Sequence, residues 1–368
     1  MTMATGQKSF ALLRQGHSLL ELIIVMLIVG MGFVIFIPQL LQSRDAFRKG
    51  GCALKQAQLA QAVLLFEDAN GRLPVGGITV ADRNDQYEPF SGKQFSWITL
   101  ILPQFGLQDT YDRIDFSRDA FSTRGVSESL QKLICPVDTI GDKGFVDRSG
   151  QTFGLGNYAA FISPSHTEFE EIQPGALGGF VPGTEVGQRL AQISDGAANT
   201  YLLTEVRRRP GGSETPSAFN VRPGSLRDPR GAWALPWAGS SLIAVDYHSI
   251  GYNDTPWVPD PNFDAYLVIR PNSQVSGGNI LSDTITPCFQ PIQALVDGMP
   301  CRRQVSDYSF AAPRSLHEGG VNAAFVDGRV EFIGDEIDPL LYAQSISIND
   351  GQPVTRPSRR RRPSRNLR

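Results

Sequence analysis

The sequence predicts an α+β protein: a long N-terminal helix followed by an antiparallel β-sheet with long loop insertions. Three observations carry this. From Leu22 to Ser43 there are 22 consecutive residues without a charge, and beyond them Phe47, Leu54, Ala57, Leu64 and Leu65 fall near a 3.6-residue period. The 368 residues include 37 Gly and 25 Pro, too many for long helices beyond the first. Val321–Ile333 alternates on both sides of Asp327-Gly328, a dipeptide that supplies the positive φ of a tight hairpin turn.

Taken in order, residues 1–16 form a polar leader with Lys8 and Arg14 and no acid. The uncharged run, at 1.5 Å per helical residue, reaches about 33 Å, enough to cross a hydrocarbon core of about 30 Å. The basic flank precedes it, so the N-terminus is expected in the cytoplasm and the rest outside. The helix is expected over residues 17–70, with the span at about 19–41. Gly50-Gly51 loosens its middle, and Asn70-Gly71 caps it ahead of Pro74. Phe95–Phe105 reads as a short helix and Leu130–Val137 as a buried strand ending at Pro136. An Asp195-Gly196 turn leads into a strand at Tyr201–Thr204. Residues 208–231 and 250–290 read as loops. The head domain is expected over 71–350, and residues 351–368 as a disordered Arg-rich tail.

Around the uncharged run stand Gly16, His17 and Glu21. A secretory signal peptide needs a shorter apolar run and a small-residue cleavage site, and no A-x-A-like stretch follows Ile37. A plain membrane anchor fits the length but leaves Glu21 unexplained, because a carboxylate at the head of a spanning helix calls for a partner. The block resembles type IV prepilins and the pseudopilins of type II secretion. The resemblance implies that a prepilin peptidase cuts after Gly16 and that His17, where Phe is usual, becomes the N-methylated first residue. Glu21 is then the fifth mature residue and neutralises the α-amino group of a neighbouring pilin-like subunit. Pro38 falls where such helices often kink.

Further blocks run almost the length of the chain. They are Cys52 with Leu54-Lys55-Gln56, Asn70-Gly71 with Pro74, and Ser96-Trp97 with Leu100 and Pro103. Cys135-Pro136 with Asp138, Asn157-Tyr158-Ala159, and Ile193–Gly196 with Asn199-Thr200 and Glu205 follow. The last is His317, nine residues, then Asp327-Gly328. In this order they resemble a large bacterial family of unknown function with a prepilin leader and a C-terminal H-x9-D-G signature. The resemblance implies a pilin-like fold and an envelope location, and no activity. Residues 207–300 match least and are expected to be a variable insertion.

The chemistry legible in the chain is sparse. The last fourteen residues hold seven Arg, so the remainder sums to −10, and no nucleic-acid surface is expected on the head. The four cysteines have no C-x-x-C spacing, so no metal and no cofactor is expected. Cys288 and Cys301 enclose twelve residues and read as a loop staple. Cys52 and Cys135, both in family-like blocks, are expected to bridge the helix to the end of a strand; the alternative is two buried thiols. His317 and Asp327 invite an acid–base reading, but the simpler one is structural: Asp327 and Gly328 shape a turn and His317 orients a segment. Gly154–Ala159 fits G-x-G-x-x-A without the flanking strand and helix of a dinucleotide site and reads as a turn. Asp254, Asp260, Asn262 and Asp264 are oxygen-rich, as calcium loops are, but between prolines and off any EF-hand spacing.

The sequence therefore points to a structural protein and not an enzyme. It is expected to be a pseudopilin-like subunit, single-pass in the inner membrane, with its head in the periplasm and its partners being the prepilin peptidase and other pilin-like subunits. The alternative is a membrane-tethered module that binds a cell-surface ligand such as a polysaccharide and does not polymerise. A hydrolase lacks a convergent catalytic set.

Overall fold

The computed structural model describes residues 19–81, 87–88, 90, 92–139, 144–147, 149–167, 174–178, 186–209, 228–249, 266–274, 282–303 and 309–349, with the side chains of 21, 32–47, 80–81, 87–88, 248–249 and 266–267 excepted. Gly16, His17, the Glu21 side chain, the oxygen-rich stretch at 254–264 and the arginine tail lie outside the described residues. The chain divides into two units, Met1–Phe47 and Arg48–Arg368. Helix α1, Leu19–Asn70, runs from the first into the second.

In the first unit, every large apolar side chain from Leu19 to Met31 is exposed, from 47% at Ile23 to 76% at Leu19. Among the described residues no helix is long and apolar enough to cross a membrane. The side chains of 32–47, which hold the second half of the uncharged run, lie outside the described residues.

In the second unit the helix becomes one-sided. Cys52, Gln56, Leu59, Ala60, Val63 and Phe66 are buried along one stripe, while Leu54 and Leu65 face solvent. Each large apolar side chain in that stripe contributes about 1.5–3 kcal/mol by leaving water. The stop is local: Gly71 takes φ +69°, its N–H donates to Glu67 O, and the Asn70 side chain donates to Phe66 O.

The stripe packs on a five-stranded sheet. Its strands are β1 (Tyr158–Ser163), β2 (Tyr201–Glu205), β3 (Leu242–Ala244), β4 (Gly320–Phe325) and β5 (Val330–Gly334), in the order β5-β4-β2-β1-β3. All neighbours are antiparallel except β3, which pairs parallel to β1. The sheet is therefore mixed, not purely antiparallel. Tyr158, Ala160 and Ile162 of β1 join the core under α1, and Ala159 and Phe161 join a second core on the opposite face. Tyr342, Ala343 and Ile346 of the C-terminal helix, Pro339–Ile346, cover that second face. That helix opens on Asp338, whose carboxylate accepts from Leu341 N–H.

Three readings of the sequence are corrected. Leu130–Val137 is not a strand; it holds a 3-10 turn at Gln131–Leu133. Two of its carbonyls, of Gln131 and Ile134, each accept from Lys55 Nζ at 2.7 Å instead of from a strand partner. Gly154–Ala159 is not simply a turn, since β1 begins at Tyr158. A Cβ at Gly154 would come within 1.9 Å of Glu128 O, so the glycine serves close backbone packing. Residues 207–300 are not only an insertion on the surface. They supply β3 and bury Trp233, Leu235 and Leu242.

Candidate functional site

Four segments distant in sequence meet beneath α1. Cys52 sits on the buried stripe of the helix and is disulfide-bonded to Cys135, just past the 3-10 turn, with Cα atoms 4.9 Å apart. Glu205 ends β2, and His317 precedes β4 by three residues. The His317 ring Nε2 lies 3.0 Å from Glu205 Oε1 and 3.9 Å from Cys135 Sγ. All four residues are buried.

The surroundings hold each group in place. Glu205 Oε2 accepts from Asn322 N–H at 2.8 Å, and Oε1 accepts from the Asn322 side chain at 3.2 Å. Cys135 N–H donates to Asn157 Oδ1, and the Asn157 amide donates to Asp138 at 2.6 Å and to Val206 O at 3.0 Å. The Tyr158 hydroxyl donates to Cys52 O. Burial and the Glu205 charge push the Tyr158 phenol well above its ordinary pKa, so it stays a donor. Gln56 donates its amide to Leu203 O and Asn322 O, tying the helix to β2 and β4. Burial lowers the pKa of Lys55, whose ammonium caps the two carbonyls of the 3-10 segment.

His317 is thus an orienting residue, and Glu205 is its partner. Asp327 lies beyond the far end of β4, roughly 20 Å of strand away at about 3.3 Å per residue. The acid–base pairing of the two signature residues is therefore geometrically closed. Asp327 Oδ1 accepts from Arg329 N–H, Gly328 takes φ +86°, and Asp327 N–H donates to Ala197 O. These contacts make the β4–β5 turn and dock it on the turn before β2.

A second buried polar cluster anchors residues 207–300. Arg230 forks onto Asp228 at 2.7 and 2.8 Å and reaches Asp283 at 2.7 Å. Arg314 also binds Asp283, at 2.8 and 3.1 Å. Arg209 joins Asp228 to Asp297. Burial raises a carboxyl pKa, but for Asp283 the charges and hydrogen bonds of Arg314, Arg230 and Ala312 together outweigh it, and for Asp228 those of Arg230 and Arg209 together do; both end below 3.8. Burial opposes the Arg230 charge, yet its two aspartates hold its pKa above the usual value. Cys288 and Cys301 close a neighbouring loop, with Cα atoms 5.7 Å apart.

Sequence reasoning named Glu205 and Gln56 only as members of family-like blocks, did not link Glu205 to His317, and missed the Arg–Asp cluster. The available signal for the cluster was Arg207-Arg208-Arg209 directly after an apolar strand.

A family model described as a protein of unknown function, DUF1559, matches residues 42–340. No curated protein and no solved structure matches the chain.

Proposed function

This chain belongs to the DUF1559 family, and from that premise we propose that it is a membrane-anchored, pseudopilin-like structural subunit. In this reading the chain is cut after Gly16 by a prepilin peptidase, and the new N-terminus at His17 is methylated. The fold of the head is pilin-like, with the second half of α1 as the spine of its core. The head lies outside the inner membrane, where the oxidised cysteines are at home. The first half of α1 is the segment through which copies associate, with Glu21 paired to a neighbour's α-amino group.

The observation that carries the reading is the change of character along α1. Leu19–Met31 presents apolar side chains on all sides, whereas Arg48–Asn70 presents them along one stripe. A helix apolar all round requires an apolar surrounding, either lipid or other helices. The packed half, pinned by the Cys52–Cys135 bridge, provides a rigid mount for the head. Replacing Glu21 with Gln tests it. The account predicts loss of assembly, with membrane insertion and head folding retained. Normal assembly by Glu21→Gln would contradict this reading, and a wild type that inserts and folds but never assembles would favour the tethered binding module instead.

A further inference from the structure

We propose that Cys52, Cys135, Glu205 and His317 form a zinc site when the Cys52–Cys135 disulfide is reduced. One ligand atom from each, two Sγ, a carboxylate oxygen and a ring nitrogen, lies within 4.8 Å of all the others. Tetrahedral zinc with Zn–S of about 2.3 Å and Zn–N of about 2.0 Å needs donor separations of about 3.3–3.8 Å. Breaking the S–S bond lets the sulfurs part toward that spacing, and the remaining two ligands are already within reach.

A dithiol reductant passes its two electrons and two protons to the disulfide and itself becomes a disulfide, leaving Cys52 and Cys135 as thiols. Zinc binding then releases two protons as both thiols become thiolates. The ion with two thiolates and the Glu205 carboxylate carries a net −1. That equals the charge of the oxidised site with His317 neutral, so the exchange adds no buried charge.

Two observations beyond the ligand count point to a site. The supporting shell is already built: Glu205 is oriented by two bonds from Asn322, and the Cys135 backbone by Asn157. Among the described residues the buried His317 ring has no hydrogen-bond partner at Nδ1, and its polar contacts lie on the Nε2 side, toward Glu205, Asn322 and Cys135 Sγ. A small crevice of about 10 Å³, lined by residues including Cys135, Glu205, Arg207, Ser315 and Leu316, lies beside the cluster. The same four residues would then staple helix, 3-10 turn and sheet in either redox state. The inference stands apart from the membrane reading, since it uses only the head.

The test uses the full chain in detergent, reduced with a dithiol and desalted without oxygen. Cobalt, as a spectroscopic stand-in, should give one equivalent of thiolate-to-metal charge transfer, displaced by zinc. Zinc should also raise the melting temperature of the reduced protein. The Cys288→Ser/Cys301→Ser variant should keep the signal. His317→Ala and Glu205→Gln should weaken binding by at least about 10-fold. Melting of the oxidised variants shows whether they fold, and either one that folds suffices. A reduced wild type that shows no cobalt spectrum, or melts identically with and without zinc, would overturn the proposal. So would a folded His317→Ala that binds as the wild type does.

Discussion

Leu19–Met31 leaves all its large apolar side chains exposed, while Arg48–Asn70 buries Cys52, Gln56, Leu59, Val63 and Phe66 and, of its large apolar side chains, exposes Leu54 and Leu65 alone. The two stretches share one helix, but the first is almost wholly Leu, Ile, Val and Met while the second interleaves its apolar residues with Lys, Gln, Glu and Asp. They differ too in where their side chains go, and so in what each owes its surroundings. The packed half is stabilised by apolar burial on the sheet beneath it, by two hydrogen bonds that the Gln56 amide donates to that sheet, and by the disulfide to Cys135. The exposed half, apolar on every side, calls for an apolar environment.

The sharpest way to break this comparison is to place a charge in each half. Val63→Lys buries an unpaired ammonium and should destabilise the head by about 4 kcal/mol or more, read by urea denaturation. A smaller loss would mean that the stripe is not the core contact described.

The two disulfides come next. Cys52–Cys135 closes a sequence separation of 83 and Cys288–Cys301 one of 13. Loop-closure entropy assigns them about 4.5 and about 3 kcal/mol. Metal-free Cys52→Ser/Cys135→Ser should therefore melt lower than Cys288→Ser/Cys301→Ser, and the reverse order would show that the helix is held mainly by packing.

Within the head, Asp283→Asn leaves Arg230 and Arg314 short of a buried partner and should cost about 3–5 kcal/mol. The same cluster sets an acid limit. Asp228 and Asp283 titrate below 3.8 when folded, so their contribution is complete above that value and disappears as pH falls through the lower folded values. Wild type should lose stability steeply below about pH 3.8, and Asp283→Asn less steeply; parallel acid limbs would remove the cluster from the account.

The smallest effect on the head belongs to Ile24→Lys. It should change head stability by no more than about 0.5 kcal/mol, because Ile24 is an exposed side chain. It should nonetheless lower the membrane-bound fraction, at a cost of about 2.5–3.5 kcal/mol if the residue sits near mid-bilayer.

How far the sequence reveals these features depends on locality. The β4–β5 hairpin is legible because Asp327-Gly328 and the alternation around it are neighbours in the chain. The end of α1 is legible for the same reason, at Asn70-Gly71. Strand β1, Tyr158–Ser163, has both faces buried, so it lacks the alternation that marks a one-sided strand. Leu130–Val137 holds apolar residues because Leu130, Leu133 and Cys135 are buried, not because it pairs as a strand, and so short a run is ambiguous in sequence. His317 stands out in the signature, but its partner Glu205 is 112 residues away and nothing local links them. Asp283 and Arg230 belong to segments that read as loops because Pro and Gly surround them, although both side chains are wholly enclosed.

The central claim concerns the start of α1, and mass spectrometry of the N-terminus of membrane-extracted protein addresses it most directly. The account predicts a chain that begins at a methylated His17. A native chain that still carries residues 1–16 would contradict it.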